Sequence, residues 1–188
     1  MKRFFMHPLI TLLHSIYQNY LRPSTNLKLK YNTEWALITG GFDQPIGIEL
    51  CHELASQGLN LILISKSENR LLEFADYLEA TYKIQTKTIT FDLSFLECDT
   101  EAWNFKEVLT LVLKDLNCRI LINYVGMSNE GTNSYLYHTQ PLWNVFNLLN
   151  VNVNTQTILT HHMVDSWANR ADGKAAVITY SSIAALSP

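Results

Sequence analysis

The stretch Trp35-Ala36-Leu37-Ile38-Thr39-Gly40-Gly41-Phe42-Asp43-Gln44-Pro45-Ile46-Gly47 decides the fold. Its first five residues form a short apolar run closed by two glycines, the pattern of a strand buried on both faces. Over residues 46–57 the spacing turns helical, with Ile46, Leu50 and Leu54 on one side and Gly58 placed to cap the end. A buried strand that runs through a glycine turn into a helix is the opening unit of a parallel α/β sheet.

Reading outward, the same alternation continues. Residues 59–65 (LNLILIS) are a second continuous apolar strand. Residues 68–82 read as a helix with Leu71, Leu72, Phe74, Ala75 and Leu78 facing a core. A β-branched strand follows over 86–91, a helix over 103–116, a strand over 119–124, a long helix over 142–167 and a fifth strand over 175–180. Helical crossovers between strands are right-handed and give a parallel sheet covered on both faces, so the expected class is α/β, a Rossmann-type doubly wound sheet. The 188 residues suit one domain, and 47% hydrophobic with 16% charged residues is a globular composition.

The glycine turn carries chemistry as well as topology. Glycines at 40, 41 and 47 let backbone approach a bound phosphate, and the following helix N-terminus offers N–H groups and the positive end of a dipole. After the first strand of such a sheet, this is where a dinucleotide pyrophosphate is met. Ser65 and Lys66 close the second strand and place a cation at its carboxyl end. One feature works against tight binding. Pro45 has no N–H to offer and pushes Gln44 into extended geometry, which predicts a dinucleotide bound more weakly.

These stretches resemble the short-chain dehydrogenases/reductases. The turn is similar to their TGxxxGxG motif, although Gln44-Pro45 stands in place of the middle glycine with one residue added. Asp92 follows the third strand, where the family's acidic residue contacts adenine. Asn123-Tyr124-Val125-Gly126 stands where the family has Asn-Asn-x-Gly, so Tyr124 replaces an amide that stabilises the sheet. Ser182 matches the serine that orients the substrate carbonyl, and Asn152 matches the helix asparagine of the proton relay. The resemblance thus implies a cofactor site of Thr39, Gly40, Gly41, Asp43, Ile46, Gly47, Ser65, Lys66, Asp92, Asn123 and Gly126, with Ser182 and Asn152 as the catalytic residues present. It covers residues 34–188 and is nearest to a branch of 17β-hydroxysteroid dehydrogenases, very-long-chain 3-oxoacyl-CoA reductases and inactive hydroxysteroid dehydrogenase-like proteins.

In that family a Tyr-x-x-x-Lys pair follows the serine by about 13 residues, which lies past Pro188. The expectation is therefore a C-terminally incomplete Rossmann domain that is catalytically impaired as it stands, with an apolar face for a protein partner or a second copy to cover. The alternative is an NADP(H)-dependent oxidoreductase of steroids or long-chain 3-oxoacyl-CoA in a longer form of the chain.

Residues 1–33 form a separate lead segment. Lys2, Arg3, Arg22, Lys28 and Lys30 give it +5 before the first acidic residue, Glu34, and the total of −3 leaves −8 on the remainder. Leu9, Leu12, Leu13, Ile16, Tyr17, Tyr20 and Leu21 fall on one helical face, with Pro8 expected in the first turn and Arg22-Pro23 as the stop. Three readings stay open: a membrane-surface helix, a mitochondrial presequence, or a helix packed on its own domain or a partner. The expected location is accordingly intracellular, at the endoplasmic reticulum membrane surface or in the mitochondrion. The overall charge lacks the basic profile of a nucleic-acid binder. Cys51, Cys98 and Cys118 match no metal or redox spacing, and His161, His162 and Asp165 lack a second ligand pair, so no metal site is expected. Tyr135, Tyr137 and His138 fall in a loop near the expected substrate position.

Overall fold

The computed structural model describes residues 3–21, 23–42, 44–96, 99–128, 141–168 and 173–182. Helix α1 (Arg3–Ile16) runs into a π-helical turn at Tyr17–Leu21, and a short α2 (Leu27–Tyr31) follows. Then come β1 (Trp35–Thr39), α3 (Pro45–Ser56), β2 (Asn60–Ser65), α4 (Glu68–Tyr82), β3 (Thr86–Thr90), α5 (Asp99–Leu113) and β4 (Cys118–Asn123). The long helix is split into α6 (Leu142–Leu149), a π-helical segment at Asn150–Asn154 and α7 (Thr155–Ala168), before β5 (Ala176–Thr179).

All strand pairings are parallel, in the order β3-β2-β1-β4-β5. Alternation within the buried strands sorts their side chains onto two cores. Leu37, Ile62, Ile64 and Leu121 face α5 and α7, where Phe105, Leu109, Leu159 and Met163 complete one cluster. Ala36, Ile38, Leu61, Leu63, Ile120 and Ile122 face α3 and α4, against Cys51, Leu54, Leu71 and Leu78. Helices on both faces are what all-apolar strands require. The chain winds from β1 out to β3, then crosses back to set β4 beside β1. Strand order therefore reverses between β1 and β4, and a crevice opens beyond their carboxyl ends.

The lead segment departs from the expectation. α1 begins at Arg3, so Pro8 is its sixth residue rather than a first-turn residue. Proline's fixed φ suits a helix, and near the N-terminus it sacrifices a single backbone bond. The helical stretch does stop before Arg22-Pro23. Its apolar face is uncovered: Ile10, Leu12, Leu13, Tyr17, Tyr20 and Leu21 are all exposed, so these residues do not pack on the chain's own domain. Among the described residues no helix is long and apolar enough to cross a membrane. By contrast α2 is tied down at the N-terminal end of the sheet, where Leu27 N donates to Gln57 Oε1 at 2.6 Å and Lys28 Nζ to Gly58 O at 2.5 Å. At the other edge, Val177 and Ile178 of β5 stay exposed, as do Trp143, Phe146 and Leu149 of α6.

Candidate functional site

The crevice at the switch point is a cleft of about 620 Å³. Its lining comes from the ends of β1 to β4 and from the α6 side: Gly40 and Gly41, Ser65 and Lys66, Asp92, and Gly126 among the expected positions. The turn after β1 takes the shape that its glycines permit. Gly40 has φ +64° and Gly41 φ +88°, conformations that residues with a Cβ avoid. Gly47 packs so closely that a Cβ there would lie 2.5 Å from Gly41 Cα. The third glycine thus holds α3 against the turn, which is its part in a phosphate cradle.

Pro45 is the first residue of α3, and Gln44 before it is extended (φ −121°, ψ 134°) with no side-chain cap bond, as the proline dictates. Ile48 N donates to Gln44 O at 3.1 Å. The N–H groups of Ile46 and Gly47 therefore remain as the first-turn donors without an acceptor inside the helix. The helix start thus carries two such N–H groups where a non-proline residue at 45 would supply three.

The cation end of the cleft is richer than the sequence suggested. Lys66 and Arg70 both line it, together with Ser67. Ser67 is the N-cap of α4 but makes no side-chain cap bond, so the helix N-terminus is open toward the same space. Sequence reasoning missed Arg70, because Lys66 lies before the N-cap of α4 and the four-residue spacing of a helix face does not join the two. Asp92 sits in the lining with Oδ1 accepting from Ser94 N at 3.0 Å and Ser94 Oγ at 2.7 Å. Phe42, also in the lining, is anchored from behind by Phe74 of α4, with ring centroids 5.5 Å apart.

Other expected residues stand behind the surface or apart from it. Thr39 is fully buried, and its Oγ1 accepts from Tyr124 N and Val125 N at 3.2 and 3.3 Å, fixing the chain after β4. Asn123 is also fully buried and faces α7, with Nδ2 near Thr160 Oγ1 and Thr179 Oγ1 at 3.3 and 3.4 Å; among the described residues its Oδ1 has no partner. Neither side chain lines the cleft, and nor do Ile46 and Gly47. Asp43, and the loop with Tyr135, Tyr137 and His138, lie outside the described residues.

Asn152 makes a two-bond clamp. Its Oδ1 accepts from Met127 N, and its Nδ2 donates to Met127 O, both at 2.8 Å. Both ends of the amide are occupied in holding the β4 loop. It sits in the π-helical segment at Asn150–Asn154. Ser182 is exposed beyond β5. Among the described residues no group of three or more His, Cys, Asp or Glu is placed to hold a metal.

A family model described as short chain dehydrogenase matches residues 34–188. Very-long-chain 3-oxoacyl-CoA reductase-A of Danio rerio is 32% identical over 156 residues, covering 82% of this chain and 46% of that protein. Inactive hydroxysteroid dehydrogenase-like protein 1 of Homo sapiens is 30% identical over 164 residues, covering 85% of this chain and 45% of its own length. The chain thus spans under half the length of either relative. A short-chain dehydrogenase from Sphingobium yanoikuyae in complex with NADPH superposes with a TM-score of 0.68 at 21% identity, covering 82% of this chain and 56% of that one, which shows the shared fold.

Proposed function

This chain belongs to the short-chain dehydrogenase family and is related to the very-long-chain 3-oxoacyl-CoA reductases, and from that premise we propose that its cleft holds NADP(H) with little or no turnover. The observation that carries the reading is the continuity of one cleft from the glycine turn to the Lys66–Arg70 pair. The turn has the backbone of a phosphate loop: Gly40 and Gly41 hold positive φ, and Gly47 packs on Gly41 with no room for a Cβ. The start of α3 at Ile46 and Gly47 stands behind this lining and offers the phosphates the positive end of its dipole. Lys66 and Arg70 suit a ribose phosphate, Arg70 through a forked guanidinium and Lys66 as a point charge. Asp92, whose Oδ1 is spent on Ser94, stands beside the place for adenine. When bound, the nicotinamide supplies or accepts a hydride.

Weaker cofactor binding is supported by the turn itself. A donor to a charged oxygen is worth about 1.5–3 kcal/mol. Loss of the N–H at Pro45 accordingly weakens the cofactor by roughly ten- to a hundredfold. The second reading is a reductase of long-chain 3-oxoacyl-CoA, or of a steroid ketone, in a longer protein. Ser182, exposed at the end of β5, favours it, since such a serine would orient the carbonyl oxygen. A membrane surface is the proposed setting for either reading, supported by the uncovered apolar face of α1 and the all-basic charge of residues 1–33.

The test is to titrate the chain with NADPH by tryptophan fluorescence and then to add a long-chain 3-oxoacyl-CoA while following NADPH absorbance. Saturable binding with no consumption above the buffer rate is expected. Steady consumption would replace the binding reading with the reductase, and failure to bind would remove the binding reading.

A further inference from the structure

The basic lead segment carries two exposed apolar patches on different supports. The first is α1 with its π-helical turn, where Leu12, Leu13, Tyr17, Tyr20 and Leu21 are each more than half exposed. The second is on α2. Leu27 and Tyr31, four residues apart, pack on the core beneath α3 and α4. That turns Leu29 outward, 79% exposed, beside the exposed Lys30. Helix α2 is fixed to the body of the domain. Leu27 N and Lys28 Nζ donate to Gln57 and Gly58, and Asn117 Nδ2 donates to Asn32 O at 2.9 Å. Gln57 and Gly58 precede β2, and Asn117 precedes β4, so α2 marks the N-terminal end of the sheet. The cleft opens at the other end. Strands of five and six residues, at about 3.3 Å each, set the two ends about 17–20 Å apart.

We propose that the lead segment seats the chain on a bilayer rich in anionic lipid, with Leu29 and Lys30 touching it and the cleft opening away from it into water. The inference rests on the membrane setting given above and adds the lipid class and the orientation. Charge carries the first part. Residues 1–33 hold five Lys and Arg and no Asp or Glu, and the total of −3 leaves −8 on the remainder. An anionic surface attracts the lead segment, by about fivefold in affinity per basic residue held near it, and repels the rest. A helix lying in the interface plane buries its apolar face there, and tyrosines suit the headgroup level. Geometry carries the second part. Residues 23–26 lie in no helix or strand, so a contact through α1 alone would let the domain turn. A second contact on the fixed α2 sets the N-terminal end of the sheet toward the lipid. A dissolved dinucleotide then reaches the cleft without displacing the membrane.

Vesicle sedimentation tests the lipid class. The full chain is expected to bind phosphatidylcholine vesicles with about 30% phosphatidylserine at least about tenfold more tightly than phosphatidylcholine alone, a preference that shrinks as salt rises. Leu12→Glu and Leu29→Glu should each weaken that binding by about tenfold, with the circular dichroism of the chain unchanged because both side chains are exposed. Quenching by a headgroup-labelled lipid tests the orientation. Cys51 and Cys118 are buried, and Cys98→Ser removes the third thiol. A maleimide fluorophore is then placed through Leu29→Cys or Lys66→Cys. Strong quenching at position 29 and none at position 66 is expected. Quenching at 66 equal to or above that at 29, or none at either, would overturn the orientation. Equal binding to both kinds of vesicle would overturn the lipid class. Either result leaves the membrane setting standing. Absence of vesicle binding removes the proposal and the setting together, and a dimer that Leu12→Glu dissolves in sedimentation velocity would then give this face to a second copy.

Discussion

Gly41→Ala is the substitution whose cost the geometry defines best. Two terms add. The residue sits at φ +88°, where a Cβ costs about 1–2 kcal/mol in backbone strain. The new methyl would also lie 2.5 Å from Tyr124 Cδ1, and an overpacked group of this kind costs about 1–3 kcal/mol. The sum is a destabilisation of about 2–5 kcal/mol. The terms separate in a double-mutant cycle, because Tyr124→Ala removes the ring and leaves the backbone angle. In that background Gly41→Ala should cost the strain term, about 1–2 kcal/mol, plus what remains of the close approach to Gly47 Cα at 3.1 Å, giving a coupling to the ring of up to about 3 kcal/mol. Urea unfolding followed by far-ultraviolet circular dichroism measures all four chains. The reasoning is refuted if Gly41→Ala costs under about 0.5 kcal/mol, within the range of an ordinary surface change. It is equally refuted if the cost is the same with and without the Tyr124 ring.

Other perturbations test other parts of the account. Asn152→Ala removes both bonds to Met127 and should lower stability by about 1–3 kcal/mol in the same unfolding assay; a change under about 0.5 kcal/mol would mean the clamp carries no load. Burial pushes the Cys51 thiol up to about 12, so at mildly alkaline pH Cys51 should stay unlabelled by a maleimide until urea unfolds the chain, whereas labelling in the folded state would contradict its burial. His162 is lowered from 6.5, first by burial and then by Lys106, with His161 acting the same way and Asp165 opposing. Its contribution to stability is complete above 6.5 and lost as pH falls through the lowered folded value, because the unfolded chain takes up the proton first. His162→Gln should flatten that part of the stability–pH curve; an unchanged acid slope would count against it.

The sheet was legible because its strands are written as unbroken apolar runs. Residues 35–39 and 59–65 admit no other partner than a doubly covered parallel sheet, and the structure buries residues 35–39 completely. The proline effect at Gln44 was also readable, since the constraint is local and steric. What could not be read depends on distant partners. α2 has a short sequence, LKLKY, that would not form a helix alone, and bonds to Gln57 and Gly58 hold it. The π-helical segment looked like ordinary helix because its cause is tertiary: Asn150 Nδ2 donates to Ser94 O, and Thr155 Oγ1 donates to Asn150 O. For the same reason Asn152 was legible as a site position but not as a clamp on Met127. Asn123 carries the right motif letter, yet the alternation of β4 turns its side chain to the α7 face, away from the cleft. Arg70 was overlooked because its partner in the cleft, Lys66, belongs to the strand end rather than to the same helix.

The claim at the centre of the account is that this cleft selects a dinucleotide bearing a ribose phosphate. The most direct measurement is calorimetric titration of the chain with NADPH and with NADH, repeated for Lys66→Gln with Arg70→Gln. With charge-assisted bonds worth about 1.5–3 kcal/mol each, NADPH should bind at least about tenfold more tightly than NADH. The double variant should erase that preference while leaving NADH binding as it was. Equal affinities in the unaltered chain, or a preference that survives loss of both cations, would contradict the account.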